Sequence, residues 1–187
     1  METLFYILTG AAAMLVLIWA RGRWFGFAAQ TPEDYAQDAL QFDLRHHLNG
    51  PIACEGVIYG PLGRVTSRFQ GDFEAEWNGN AGVMRERFEY DSGEVQNREW
   101  HLTLGNDGRI RARAADVPGE GEGWQKGSSV LLKYRIRLPE RSGGHVLSAT
   151  DWMYFTPNGT IVNRSQFRKY GIKVAELVAT MRRKDMA

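Results

Sequence analysis

From Ile52 onward, apolar and polar positions alternate with a period of two, and turn residues interrupt the alternation at short intervals. Trp100, Leu102 and Leu104 fall on one parity, with Glu99, His101 and Thr103 on the other. Val130, Leu132, Tyr134, Ile136 and Leu138 oppose Leu131, Lys133, Arg135 and Arg137 in the same way. This is the pattern of strands with one buried face. Gly60-Pro61, Asn78-Gly79-Asn80, Asp91-Ser92-Gly93, Asn106-Asp107-Gly108, Ser142-Gly143-Gly144 and Asn158-Gly159 supply the turns. They delimit strands over 52–59, 65–77, 81–90, 94–104, 109–117, 129–138, 145–156, 160–169 and 172–183. The last segment also fits a helical stripe; a closing strand is preferred because it removes the exposed edges of a meander. Short connections throughout favour an up-and-down barrel of about nine or ten antiparallel strands over a Greek key. Residues 117–129 break the pattern, being Gly-rich around Trp124. They read as a loop, or as a lid with an aromatic tip over the barrel mouth.

The N-terminal pattern is different. Leu4 to Ala20 is uncharged and mostly apolar, with Trp19, Trp24, Phe25 and Phe27 as interfacial aromatics and Arg21 and Arg23 as flanking charges. A retained membrane anchor is the preferred reading, over a cleaved signal peptide and a buried core helix. The two arginines would place the rest of the chain in the cytoplasm. The chain therefore divides into an anchor and juxtamembrane segment, 1–29, and a barrel domain, 30–187. The barrel domain begins with Thr31 as N-cap and Pro32 at a first helical position, so a short helix or two helical turns should precede Asn49-Gly50. His46 and His47 within it point about 100° apart and do not chelate as a pair.

Composition removes several functions. Among 187 residues the formal net charge is +1, which gives no broad pull toward nucleic acid. The one basic cluster, Arg182-Arg183-Lys184, reads as a solvated tail. Cys54 is the single cysteine, so there is no intrachain disulfide and no cysteine-based metal site. The glycines at 121 and 123 open no helix, and no hydrolase or metalloprotease motif occurs. No catalytic residue, metal ligand or cofactor is assigned. Asp116, Asp151, His101 and Arg164 remain a conceivable acid–base set.

The hairpin 151–169 is unusually polar for a barrel wall. A two-residue turn at Asn158-Gly159 would place Trp152 opposite Ser165, Met153 opposite Arg164, and Tyr154 opposite Asn163. Asp151 and Arg164 would then be diagonal neighbours on one face and form a clasp. Trp152, Tyr154, Asn163 and Ser165 would share the other face and, with Trp100 and Tyr134, line a ligand pocket. The glycosylation sequons at Asn158 and Asn163 are discounted, since one lies inside a strand.

The stretches "FDLRHHLNGPI", "ERFEYDSGEVQNREWHLT", "GRIRARAADVPGEGEG" and "DWMYFTPNGTIVNRSQFRKYGIKVAEL" resemble the DUF3833 family of proteobacterial proteins over Tyr35 to Met181. The resemblance implies a lipocalin-like barrel in the cell envelope, where members are commonly lipoproteins without an established activity. This chain has no Cys after its apolar run, so a membrane helix takes the place of an acyl anchor. By that analogy it is a single-pass inner-membrane protein with its domain in the periplasm, against the vote of Arg21 and Arg23. The expected function is binding of an apolar or amphipathic, lipid-like ligand. A lipid-related enzyme and a structural or partner-binding envelope protein are the alternatives.

Overall fold

Ten antiparallel strands close on themselves in chain order: β1 (Gly50–Tyr59), β2 (Val65–Asn78), β3 (Ala81–Tyr90), β4 (Val95–Leu104), β5 (Arg109–Arg113), β6 (Gly121–Lys126), β7 (Ser129–Arg137), β8 (Val146–Phe155), β9 (Ile161–Lys169) and β10 (Ile172–Arg183). β10 pairs with β1 from Ile52↔Arg183 to Tyr59↔Glu176, so the sheet has no free edge. The computed structural model describes residues 1–184; the end of the predicted barrel domain and the side chains of Arg23 and Arg141 lie outside the described residues.

Every predicted strand is present. The tenth, β6, falls inside the segment read as a loop or lid. Gly121 and Gly123 hid it, because they remove the alternation that marks a strand. A Cβ at position 121 would lie about 3.0 Å from that of Tyr134, so the inward sites of β6 take glycine because β7 crowds them. Trp124 is no lid tip. It pairs across from Arg109 and carries the Arg109 guanidinium 5.8 Å from its ring.

The β8–β9 hairpin has a different register from the one expected. Its loop holds three residues, closed by Thr156 N–H donating to Thr160 O at 2.9 Å, with Gly159 N–H turning back to Thr156 O at 3.0 Å. Pro157 is the cause. It has no N–H for the ladder and suits the second position of a turn, so the turn takes it in. Gly159 follows with φ 80°, a conformation open to glycine. The pairs are therefore Trp152↔Arg164, Met153↔Asn163 and Asp151↔Ser165. A shift of one residue reverses every facing relation. Asp151 now shares the barrel interior with Asn163 and Ser165, while Trp152, Tyr154 and Arg164 face outward.

Helix α1 (Glu2–Trp24) has a mean hydropathy of 2.0 over its apolar span and no part of that span is buried. Its length and composition suit a membrane span or a signal sequence. A strap comes next. Phe27 lies under the Arg164 guanidinium, 5.0 Å away, and Gln30 Oε1 accepts from the Tyr154 hydroxyl at 2.6 Å. A short helix or two helical turns were expected, and the structure has a 3-10 turn at Pro32–Tyr35 and helix α2 (Leu44–His47). Tyr35 packs on Trp152 with ring centres 5.4 Å apart, which buries Trp152 outside the barrel wall. The strap then rounds the rim at Phe42, whose N–H donates to Gly127 O at 2.8 Å. Helix α2 drops Leu44 and Leu48 into that end as a plug, and the Trp77 indole N–H fixes Leu48 O at 2.8 Å. The turns 60–64, 91–94, 138–145 and 170–171 ring the opposite end, the mouth.

Candidate functional site

The inward positions of the strands are mainly Leu, Ile, Val, Met and Phe, and they leave a cavity of about 130 Å³ at mid-height. Its apolar lining is interrupted by one polar cluster. Trp100 and Tyr134, on β4 and β7, meet edge to face with ring centres 5.1 Å apart. The Tyr134 hydroxyl donates to Asp151 Oδ2 at 2.8 Å. Asn163 and Ser165 complete the β8–β9 side, Asn163 Nδ2 donating to Trp152 O at 3.1 Å. The Ser165 hydroxyl spends its proton on Asn163 Oδ1 at 3.2 Å. Asp151 Oδ1 is buried beside Ser165 and accepts no hydrogen bond of normal geometry. Burial raises the Asp151 pKa, while Ser165, Tyr134 and Arg98 pull it back.

Toward the mouth the cluster continues into Arg98, the next inward position on β4 beyond Trp100. Its guanidinium lies 4.8 Å from the Trp100 ring centre, grips Asp116 at 2.8 and 3.2 Å, and reaches Glu86 at 3.4 Å. Glu86 is buried on β3, and burial pushes its pKa up to about 7 against the pull of Arg98. Asp116 lies on the loop between β5 and β6. β5 reaches only His101 to Leu104 of β4, so Val95–Trp100 has no strand neighbour on that side. The loop fills this part of the wall, held by the Arg98 grip and by Arg137 N–H donating to Asp116 O at 2.7 Å. Cys54 also faces inward, and burial, then Glu86, raises its thiol to about 12, so it is a packing residue rather than a nucleophile.

Of the residues singled out from sequence, Trp100, Tyr134, Asn163 and Ser165 line one cavity. Trp152 and Tyr154 do not; they lie on the outer wall under the strap. The expected Asp151–Arg164 clasp is absent. Arg164 pairs with Glu176 at 2.6 Å on the outer surface, and Asp151 takes its hydrogen bond from Tyr134 inside. The acid–base set is not assembled either: Asp151 faces the cavity, whereas Asp116 and His101 border a groove on the outer wall, His101 3.1 Å from Glu99. Adjacent His46 and His47 meet edge to face, and no metal-binding group of residues occurs among those described. Glu86 and Arg98 were missed. Their signal is in the alternation: each sits on the parity of apolar neighbours, Met84 and Phe88 for one, Trp100 and Leu102 for the other.

Comparison with known proteins adds family and fold. The DUF3833 family, described as proteins of unknown function, matches residues 23–183. No curated protein matches. An S-type phycobiliprotein lyase from Guillardia theta superposes with a TM-score of 0.56 at 11% identity, over 83% of this chain and 98% of that one. Rv2717c from M. tuberculosis does so with a TM-score of 0.54 at 13% identity, over 74% and 94%. Both likenesses concern the barrel fold, which is lipocalin-like. The chain belongs to the DUF3833 family.

Proposed function

We propose that this DUF3833 protein is a membrane-tethered binding module whose barrel encloses the polar end of one small, amphipathic, lipid-like ligand. The observation that carries the reading is the buried Asp151 Oδ1, without a hydrogen bond of normal geometry, at the wall of an otherwise apolar cavity. A buried acceptor left unpaired costs about 1–3 kcal/mol, and a ligand that donates a hydrogen bond there recovers it. The polar groups favour the same kind of ligand. Asp116 offsets Arg98, the one guanidinium lining the cavity, and Glu86 and Asp151 add carboxyl groups with no cation left over, so the interior suits a hydroxyl, amide or ammonium and repels a carboxylate. A cavity near 130 Å³ is of the size that takes a benzene-sized guest, so a long chain has to leave through the mouth. In this reading α1 is the single-pass anchor, in the inner membrane with the barrel on the periplasmic side by analogy with envelope relatives.

The test uses the full chain in nanodiscs, titrated with hexanol, hexylamine and hexanoate and followed by tryptophan fluorescence and thermal shift. Hexanol and hexylamine should bind and hexanoate should not. Met153→Trp, which fills the cavity, should abolish binding. Asp151→Asn should weaken hexylamine about tenfold or more, the worth of a charged hydrogen bond, and leave hexanol nearly unchanged. Binding of none of the three, or equal binding of all three, would overturn the proposal.

A further inference from the structure

The large apolar side chains exposed beyond Phe25 are Leu62, Val65, Val95, Tyr170 and Ile172 among the described residues. All five are at the mouth. Leu62 lies in the β1–β2 turn, Val65 and Val95 open β2 and β4, Tyr170 forms the β9–β10 turn, and Ile172 opens β10. The other end shows the opposite chemistry: its turns, 79–80, 105–108, 127–128 and 156–160, hold no exposed large apolar residue. Single exposed apolar residues are ordinary, but their confinement to one rim is not.

Two of the mouth tips are neighbours, because β1 lies between β2 and β10. The β1–β2 tip presents Leu62 at 92% exposure, and the β9–β10 tip presents Tyr170 at 94% and Ile172 at 70%. Within the two tip segments themselves the charge has one sign. No Asp or Glu occurs in 60–71 or in 163–175, while Arg64, Arg68, Arg168, Lys169 and Lys173 do. Arg68 and Lys173 meet Asp91 and Glu176. Arg64, Arg168 and Lys169 meet no carboxylate among the described residues.

Tyr170 is placed at a cost. It and Gly171 form a two-residue hairpin turn with φ 52° and 81°. Such turns favour Asn-Gly, and an aromatic residue at positive φ is uncommon. The ring gains no packing in return, having only the Lys169 ammonium 5.7 Å away. A strained aromatic tip between cations, beside an exposed leucine and isoleucine, has the composition of a segment that sinks into a lipid interface.

We propose that the β1–β2 and β9–β10 tips dock the barrel mouth on an anionic lipid bilayer, with Leu62, Tyr170 and Ile172 in the interface and Arg64, Arg168 and Lys169 on the headgroups. The docking stands independently of what the cavity binds.

The test places the full chain in phosphatidylcholine nanodiscs, so that α1 is already occupied. Ile172→Cys is labelled with an environment-sensitive fluorophore; the buried Cys54 stays unlabelled. Asn106→Cys, in a turn at the plugged end, is the paired probe. Adding vesicles that contain phosphatidylglycerol should blue-shift and brighten the label at 172, leave the label at 106 unchanged, and do so less in high salt. Pure phosphatidylcholine vesicles should give a much smaller response. The double variant R64E/K169E should bind these anionic vesicles about tenfold or more weakly, and L62S/Y170S should lose the spectral shift. None of the substituted positions is buried, so circular dichroism should match the parent. No shift at 172, equal shifts at 172 and 106, equal responses to both lipids, or unchanged affinity in R64E/K169E would each overturn the proposal.

Discussion

Glu86 holds a proton that an exposed glutamate would have lost, and this couples stability to pH. Its folded pKa, about 7, exceeds the ordinary 4.5, so folding takes up a proton between those values. Stability from this group is therefore highest below about pH 4.5 and falls as pH rises toward 7. The shift corresponds to about 3 kcal/mol. Asp151, also raised by burial, acts with the same sign. Glu86→Gln should remove most of the decline, read as urea midpoints that fall from pH 5 to pH 8 in the parent and change much less in the variant. Arg98→Met should do the reverse of helping: it frees Asp116 from its grip and leaves Glu86 without its compensating charge, costing about 3–5 kcal/mol in thermal or urea melts. Both residues were legible in the alternation as polar members of apolar parities. What could not be read from sequence was their meeting, because Asp116 reaches Arg98 from a loop 18 residues away.

At the scale of elements, the place of Pro157 in the turn decides which face of β9 lines the cavity. Deleting it would leave the two-residue loop that the Asn158-Gly159 signal suggests, closed by the same Thr156 and Thr160, so the pairs Met153↔Asn163 and Asp151↔Ser165 would be kept. The deletion variant should therefore keep Asn163 and Ser165 inward and still give a cooperative melt. Gly159→Ala keeps the loop length and should cost only about 1 kcal/mol, through its φ of 80°. The strap and plug make a second case. Phe42 is 2% exposed at the rim, and Phe42→Ala should destabilise by about 3–5 kcal/mol in the same assay. The strand pattern gave nine of the elements because their alternation is strong. β6 escaped because crowding by β7 demands glycine where a strand would show its apolar face. The register escaped because a tight-turn dipeptide does not reveal whether the proline before it belongs to the strand.

For the whole molecule, closure of β1 on β10 makes the interior reachable through the mouth or through the patch of wall built by the β5–β6 loop. Cys54 reports on that closure. A thiol reagent should modify it at the rate of global unfolding, and much faster in Arg98→Met if loosening the Asp116 loop opens the wall. The fold and the apolar N-terminal helix followed from hydrophobic patterning, since each is set by many residues at once. The cavity did not, because its size and lining depend on a register that one proline settles. The strap has a mechanical consequence. A pull applied at Trp24 meets Phe27, Gln30 and Tyr35 one after another, so these contacts peel singly at low force. The β1 ladders, bonded to β2 and β10 on either side, carry load as many bonds in parallel. Tension on α1 would thus first release about 15 residues of slack, roughly 50 Å at full extension, and reach the plug only after that.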